Sequence, residues 1–163
     1  MTALAKAKGL ALIVPLALLG GAYGFQYLWA HLWPCEMCWW QRYAHFAALP
    51  FALAALAAGP RMRDNGRFLV WLAALAILVS GAIAVYHAGV ELKIFTGFTQ
   101  CTAPLGNGSA DDMLNKVFER PMVRCDDIQW SWLGISMAGW NAIISILSAL
   151  AIFWLSLRKT KAA

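Results

Sequence analysis

Four cysteines are the residues of this chain best suited to chemistry. Cys35 and Cys38 form a Cys-x-x-Cys, and Cys101 and Cys125 lie far downstream in one long polar stretch. Disulfides are made and broken when a thiolate attacks a disulfide sulfur, so two cysteine pairs suit a two-stage thiol relay. Pro34 favours a turn or helix start, which places Cys35 and Cys38 on one face at a helix N-terminus. Amide groups and the helix dipole at such an end favour the reactive thiolate. Arg42 follows Cys38 by four residues, one turn further along the same face. It is placed to stabilise a thiolate or to polarise an acceptor oxygen, since an arginine at membrane depth is costly unless it has a function or a partner.

Other chemistries use the same residue types. A Cys-x-x-Cys can be half of a zinc site, and four cysteines can build a tetrahedral sulfur cage, but Cys101 and Cys125 lack the close spacing of a second half. No metal is therefore expected. A c-type haem site needs a histidine directly after the second cysteine, and Trp39 stands there. Taken alone, Cys101–Cys125 also fits an inert stabilising disulfide, and Arg42 an interfacial anchor. A Cys-x-x-Cys ring is more often redox-active than structural.

The elements that must hold these residues are membrane helices. Of the 163 residues 61% are hydrophobic and 13% charged, with nine tryptophans, whereas a soluble domain carries roughly 45–50% apolar and about 25% charged residues. Apolar stretches near the roughly 20 residues that cross a bilayer predict spans at about 9–29, 38–58, 68–89 and 132–155. The second is the weakest, with a purely apolar part of only 43–58 and Arg42 at its outer interface. A secretory signal peptide is the alternative for the first stretch, because Lys6 and Lys8 precede an apolar run and Gly20, Gly21 and Ala22 follow. The run stays uncharged up to Glu36, longer than a signal peptide's apolar core. The expectation is one domain over 1–163: an all-α membrane protein, a four-helix transmembrane bundle with loops at about 30–37 and 90–131.

Charge orients the bundle. Eight of the thirteen basic residues, Lys6, Lys8, Arg61, Arg63, Arg67, Arg158, Lys159 and Lys161, fall on one side, and seven of the eight acids fall on the other. Short cytoplasmic segments are enriched in Lys and Arg, so both termini are expected in the cytoplasm and every cysteine outside it, where disulfides persist. In a bacterium that is the periplasmic side of the inner membrane. The clustering of the basic residues beside the spans speaks for lipid and against nucleic acid. Within the long loop, residues 102–112 have turn chemistry, and Met113, Leu114, Val117 and Phe118 recur at helical spacing. They predict a short amphipathic helix on the membrane surface, or one packed on the bundle.

In order and spacing, four elements resemble the disulfide bond formation protein B (DsbB) family: Pro34-Cys35-Glu36-Met37-Cys38-Trp39-Trp40-Gln41-Arg42, Tyr86-His87-Ala88-Gly89-Val90-Glu91, the pair Cys101 and Cys125, and Trp132 to Asn141. The resemblance implies a membrane oxidoreductase that reoxidises a periplasmic, thioredoxin-fold DsbA-like protein and passes electrons to membrane quinone, ubiquinone or menaquinone. It implies that the partner attacks Cys101–Cys125 through a mixed disulfide at Cys101, and that Cys35–Cys38 regenerates that pair. Cys38 would face the quinone, with Arg42 and His87 as quinone-contacting residues. Glu91 carries less of the match, and His31 and His45 have no motif support and read as interfacial or bundle-packing residues. Glu36 between the first cysteines opposes thiolate formation slightly. Vitamin K epoxide reductase-like enzymes place the Cys-x-x-Cys after the loop cysteines, the opposite of the order here.

Overall fold

The structure, a computed structural model, describes residues 2–57, 61–97 and 123–158. Among them run four long helices: α1 (Ala3–Gly24), α2 (Glu36–Ala57), α3 (Arg67–Glu91) and α4 (Met137–Leu157). Each start has a local cause. The Thr2 hydroxyl accepts the Ala5 N–H at 3.1 Å, and the Asp64 carboxylate accepts from Gly66 and Phe68 at 3.0 and 2.8 Å. Ser136 caps α4 by accepting the Gly139 N–H at 3.1 Å. Side-chain acceptors of this kind satisfy amides that have no partner inside the helix. α1 continues into a wider π turn over Phe25–Trp29, in which Ala30 N–H reaches back to the Phe25 carbonyl at 3.2 Å.

The fourth element differs from its expected span of 132–155. Ser131–Trp132 (β1) and Ile135–Ser136 (β2) form a two-residue-loop hairpin, and the helix starts only at Met137. Leu133 and Gly134 take φ of 53° and 76°, a left-handed pair that closes a hairpin and cannot continue a helix. Among the described residues the architecture is mostly helical, with this small strand pair before α4. The expected amphipathic helix at 113–118 lies outside the described residues.

α3 packs on α2 and α4, and α1 packs on the same two from the other side, which closes a ring. The ring is held at small residues: Ala7, Ala11, Ala48, Ala52, Ala55, Ala73, Ala74 and Ala149 are fully buried. Helices approach closely there because no bulk separates their backbones. Large apolar side chains such as Ile13, Leu53, Leu75 and Leu147 point outward instead, while Gln26, Gln41, Arg42, His45, Ser80 and His87 are buried. That inversion suits lipid as the surrounding solvent. Ala3–Trp29, Arg67–Glu91 and Met137–Leu157 are long and apolar enough to cross a membrane. α2 matches them in length, but Gln41, Arg42 and His45 lower its hydropathy.

Candidate functional site

The site is assembled at the end of the bundle where α2 begins. Cys35 is the residue just before α2: its carbonyl accepts the Trp39 N–H at 3.2 Å, and its sulfur accepts the Cys38 N–H at 3.3 Å. The sulfur thus does the capping work usually done by a serine or aspartate oxygen. Cys38 lies one turn on, with the two sulfurs 2.8 Å apart. Cys125 joins Cys35, Met37 and Val90 in a buried cluster, although ninety residues separate the two cysteines. Hydrogen bonding with Cys125 and then Cys38, together with burial, holds the Cys35 thiol well above the ordinary cysteine range.

Charges outside the bundle bring Cys125 there. After α3 the chain folds back, and Lys93 donates to the Asp126 carboxylate at 2.8 Å and to its backbone carbonyl at 2.6 Å. Arg124 makes a two-pronged bond to the same carboxylate at 2.9 and 2.8 Å. These two cations hold the Asp126 carboxyl well below the usual carboxylate range.

Arg42 is buried at 7% exposure, and among the described residues no carboxylate lies within ion-pair distance of it. Its guanidinium donates to Gln26 Oε1 at 2.6 Å and to the Ala22 carbonyl at 3.4 Å. The Tyr23 and Trp39 rings lie 4.8 and 5.1 Å from it. A cation held by neutral partners and ring faces keeps its positive potential for a ligand. Gln26 was not singled out in the sequence; the π turn is what carries it inward, and such turns recur at functional sites.

His87 on α3 faces Cys35. Its Nε2 lies 3.2 Å from the Cys125 carbonyl, 3.6 Å from Cys35 Sγ and 3.8 Å from Glu91 Oε1. Its Nδ1 pairs with Gln41 Nε2 at 2.9 Å. Glu91 accepts a hydrogen bond from the capping hydroxyl of Ser136, tying α3 to the start of α4. Cys35, Cys38, Arg42, His87, Gln41 and Asn141 all line one cavity of about 440 Å³, walled largely by apolar side chains such as Leu18, Phe25, Trp140 and Ile144. Cys101 lies outside the described residues. Of the two histidines expected to be interfacial or bundle-packing, His45 is buried in the polar network and lines the same cavity, and His31 is exposed with φ of 50°. Donor atoms of Cys35, Cys38 and His87 fall within 4.8 Å of one another, three possible metal ligands.

A buried thiol at a helix N-terminus with a second thiol one turn on, beside a buried arginine that has no carboxylate partner among the described residues, is an arrangement suited to thiol–disulfide exchange in a membrane protein. The family model described as "Disulfide bond formation protein DsbB" matches residues 5–155. The chain belongs to that family, whose members are membrane proteins of disulfide-bond formation. It is 30% identical over 150 residues to the disulfide bond formation protein B of Aromatoleum aromaticum, covering 88% of this chain and 89% of the relative. To that of Marinobacter nauticus it is 29% identical over 154 residues, with 89% and 88% covered. To that of Xanthomonas campestris pv. campestris it is 32% identical over 114 residues, with 68% and 66% covered. No solved structure matches the chain.

Proposed function

We propose that the protein is a quinone-dependent protein-disulfide oxidoreductase. It oxidises a DsbA-like, thioredoxin-fold dithiol protein and delivers the electrons to ubiquinone or menaquinone. The observation that carries this reading is the convergence of Cys35, Cys38, Arg42 and His87 on one cavity, with Cys125 packed against Cys35. The partner's thiolate attacks Cys101 of the Cys101–Cys125 disulfide, forming the mixed disulfide and releasing Cys125 as thiolate. Cys125 then attacks Cys35 of the Cys35–Cys38 disulfide, which makes a Cys35–Cys125 bond and frees Cys38 as thiolate beside Arg42. The partner's second thiol attacks the partner sulfur of the mixed disulfide, so the partner leaves as a disulfide and Cys101 is released as thiolate. Cys101 then attacks Cys125 of the Cys35–Cys125 bond, which re-forms Cys101–Cys125 and frees Cys35, leaving the two electrons on Cys35 and Cys38.

A quinone bound in the cavity would supply the two-electron, two-proton sink. The residues fit such a group: an apolar slot suits its ring, and the Arg42 guanidinium, two of whose five donors are engaged in the bonds above, suits an acceptor oxygen. Cys38 and the His87 ring, which line the same cavity, would stand beside it. In this reading α2 is the fourth crossing. The chain is then a single domain of the bacterial inner membrane with both termini cytoplasmic and the cysteines periplasmic. The loop pair supplies reach and the helix-borne pair supplies placement.

The test is oxidation of a reduced thioredoxin-fold dithiol protein by the purified protein in detergent with a ubiquinone analogue. Turnover is expected to depend on quinone and to vanish in Cys38→Ser; normal turnover by that variant sinks the relay. The three clustered donors favour zinc binding as a second reading. Metal analysis separates the two, because stoichiometric zinc in native protein belongs only to the binding class.

A further inference from the structure

We propose that Gln41 and Asn141 are positioning residues that fix which ring nitrogen of His87 carries its proton, so that His87 presents an N–H to Cys35. This deepens the thiol relay proposed above and rests on it.

The argument starts from a backbone carbonyl, which can only accept. Gln41 Nε2 donates to the Met37 carbonyl at 3.2 Å, so the amide nitrogen of Gln41 is on that side. The same nitrogen lies 2.9 Å from His87 Nδ1, which must therefore be the bare, accepting nitrogen. A neutral His87 then carries its proton on Nε2, where the Cys125 carbonyl at 3.2 Å can only accept and Cys35 Sγ and Glu91 Oε1 are within reach as further acceptors. Which nitrogen of a histidine is protonated is set by the partner of the other, as here.

Asn141 locks the orientation of Gln41 through the other atom of its amide. The Gln41 Oε1 must meet a donor, and it meets Asn141 Nδ2 at 2.7 Å. Asn141 Oδ1 is thereby turned toward Ser145 Oγ at 2.9 Å and His45 Nε2 at 3.1 Å. Ser80 completes the set by donating to the Gln41 carbonyl at 3.1 Å while lying 2.9 Å from His45 Nε2. The assignments run without conflict from Met37 O to His45, whose buried Nδ1 has no hydrogen-bond partner among the described residues. Because every member is both donor and acceptor, no amide can flip alone. The network therefore transmits Asn141's orientation to His87 across two hydrogen bonds.

An N–H aimed at Cys35 matters during exchange between the pairs. As Cys125 attacks, negative charge spreads over the Cys125, Cys35 and Cys38 sulfurs, and a preset donor stabilises it without reorganising. The reverse tautomer would aim a lone pair at that charge.

The experiment is nitrogen NMR of 15N-histidine-labelled, reduced protein in detergent without quinone or partner; the chain has only three histidines. Protonated and bare ring nitrogens give separate signals. His87 and His45 are expected to be protonated on Nε2 and bare on Nδ1. Asn141→Asp, which does not touch His87, offers Gln41 only acceptors, forces its amide to turn, and is expected to shift the His87 proton to Nδ1. The same variant should slow the reaction of Cys35 with a small disulfide about tenfold, the size of one hydrogen bond to a charged atom. A His87 proton on Nδ1 in the native protein, unchanged His87 signals in Asn141→Asp, or a flipped tautomer with unchanged Cys35 reactivity each overturns the proposal. Should Asn141→Asp fail to fold, Gln41→Glu serves: its carboxylate cannot donate, so loss of the bare Nδ1 signal is expected and its persistence is the contrary result. Quinone-dependent turnover is measured separately, so a failed relay and a failed tautomer assignment give different results.

Discussion

The two ends of the helix bundle are packed on opposite principles. At the end that holds the start of α1, the end of α2 and the start of α3, contact is made by Ala7, Ala11, Ala52, Ala55, Ala73 and Ala74. At the other end Gln26, Gln41, Arg42, His45, Ser80, His87 and Asn141 fill the interior with directional bonds. The alanine end fails chiefly by volume, although the Trp71 indole N–H also donates to Ser156 Oγ there at 2.8 Å; the polar end can fail with its shape intact, by losing a donor or a charge. Thiols at the first end would be inert packing residues, whereas at the second they meet a cation, a histidine and a cavity.

The comparison breaks most sharply at the cysteines. Beyond the loss of turnover in Cys38→Ser, Cys125→Ser is expected to accumulate a mixed disulfide between partner and Cys101, read on non-reducing gels with peptide mapping. Complexes recovered only through Cys35 would reverse the order of the two pairs. Next in size, Arg42→Ala should raise the apparent KM for quinone about tenfold or more, the scale of one hydrogen bond to a charged donor, and leave the KM for the protein substrate near its native value. Equal changes in both would return Arg42 to an anchoring role.

At the alanine end, Ala52→Leu inserts bulk at a fully buried position, and overpacking of this kind costs about 1–3 kcal/mol. Denaturation in detergent should show that loss while the quinone KM stays unchanged; an altered KM would show that the two ends are coupled. The smallest effect is expected at Asp126. Its carboxyl is held low by Arg124 and Lys93, so its contribution is present above the unfolded value of about 4 and is lost as pH falls through the depressed folded value. Alkylation of Cys125 should therefore be slow at pH 7 and faster in Asp126→Asn, and wild-type protection should weaken only below about pH 4. Protection that fades between pH 5 and 7 would assign the seating of Cys125 to another group.

Much of the site was legible because its chemistry is local. Cys35, Cys38 and Arg42 sit within eight residues, and helical spacing alone aligns them. Gln26 and Asn141 were not legible as partners, since an amide in an apolar run has no periodicity that names its contact. His45 read only as an interfacial or bundle-packing residue, and its polar partners Ser80 and Asn141 were not legible because they come from two other helices. The hairpin before α4 was missed because Trp132, Leu133 and Ile135 are as apolar as the helix that follows, and hydropathy does not report a left-handed backbone pair.

The sequence by itself determined the membrane setting and the presence of the four long helices, with ends that differ from the observed ones by up to six residues. Each of these follows from composition and from one-dimensional patterns that lipid enforces. Tertiary structure alone decided that Cys125 lies against Cys35, that Arg42 is met by neutral groups, and that His87 and His45 are joined through Gln41 and Asn141. Those facts depend on which faces of separate helices meet, and a chain whose outward faces are uniformly apolar encodes that choice only in how small and polar residues fit together inside.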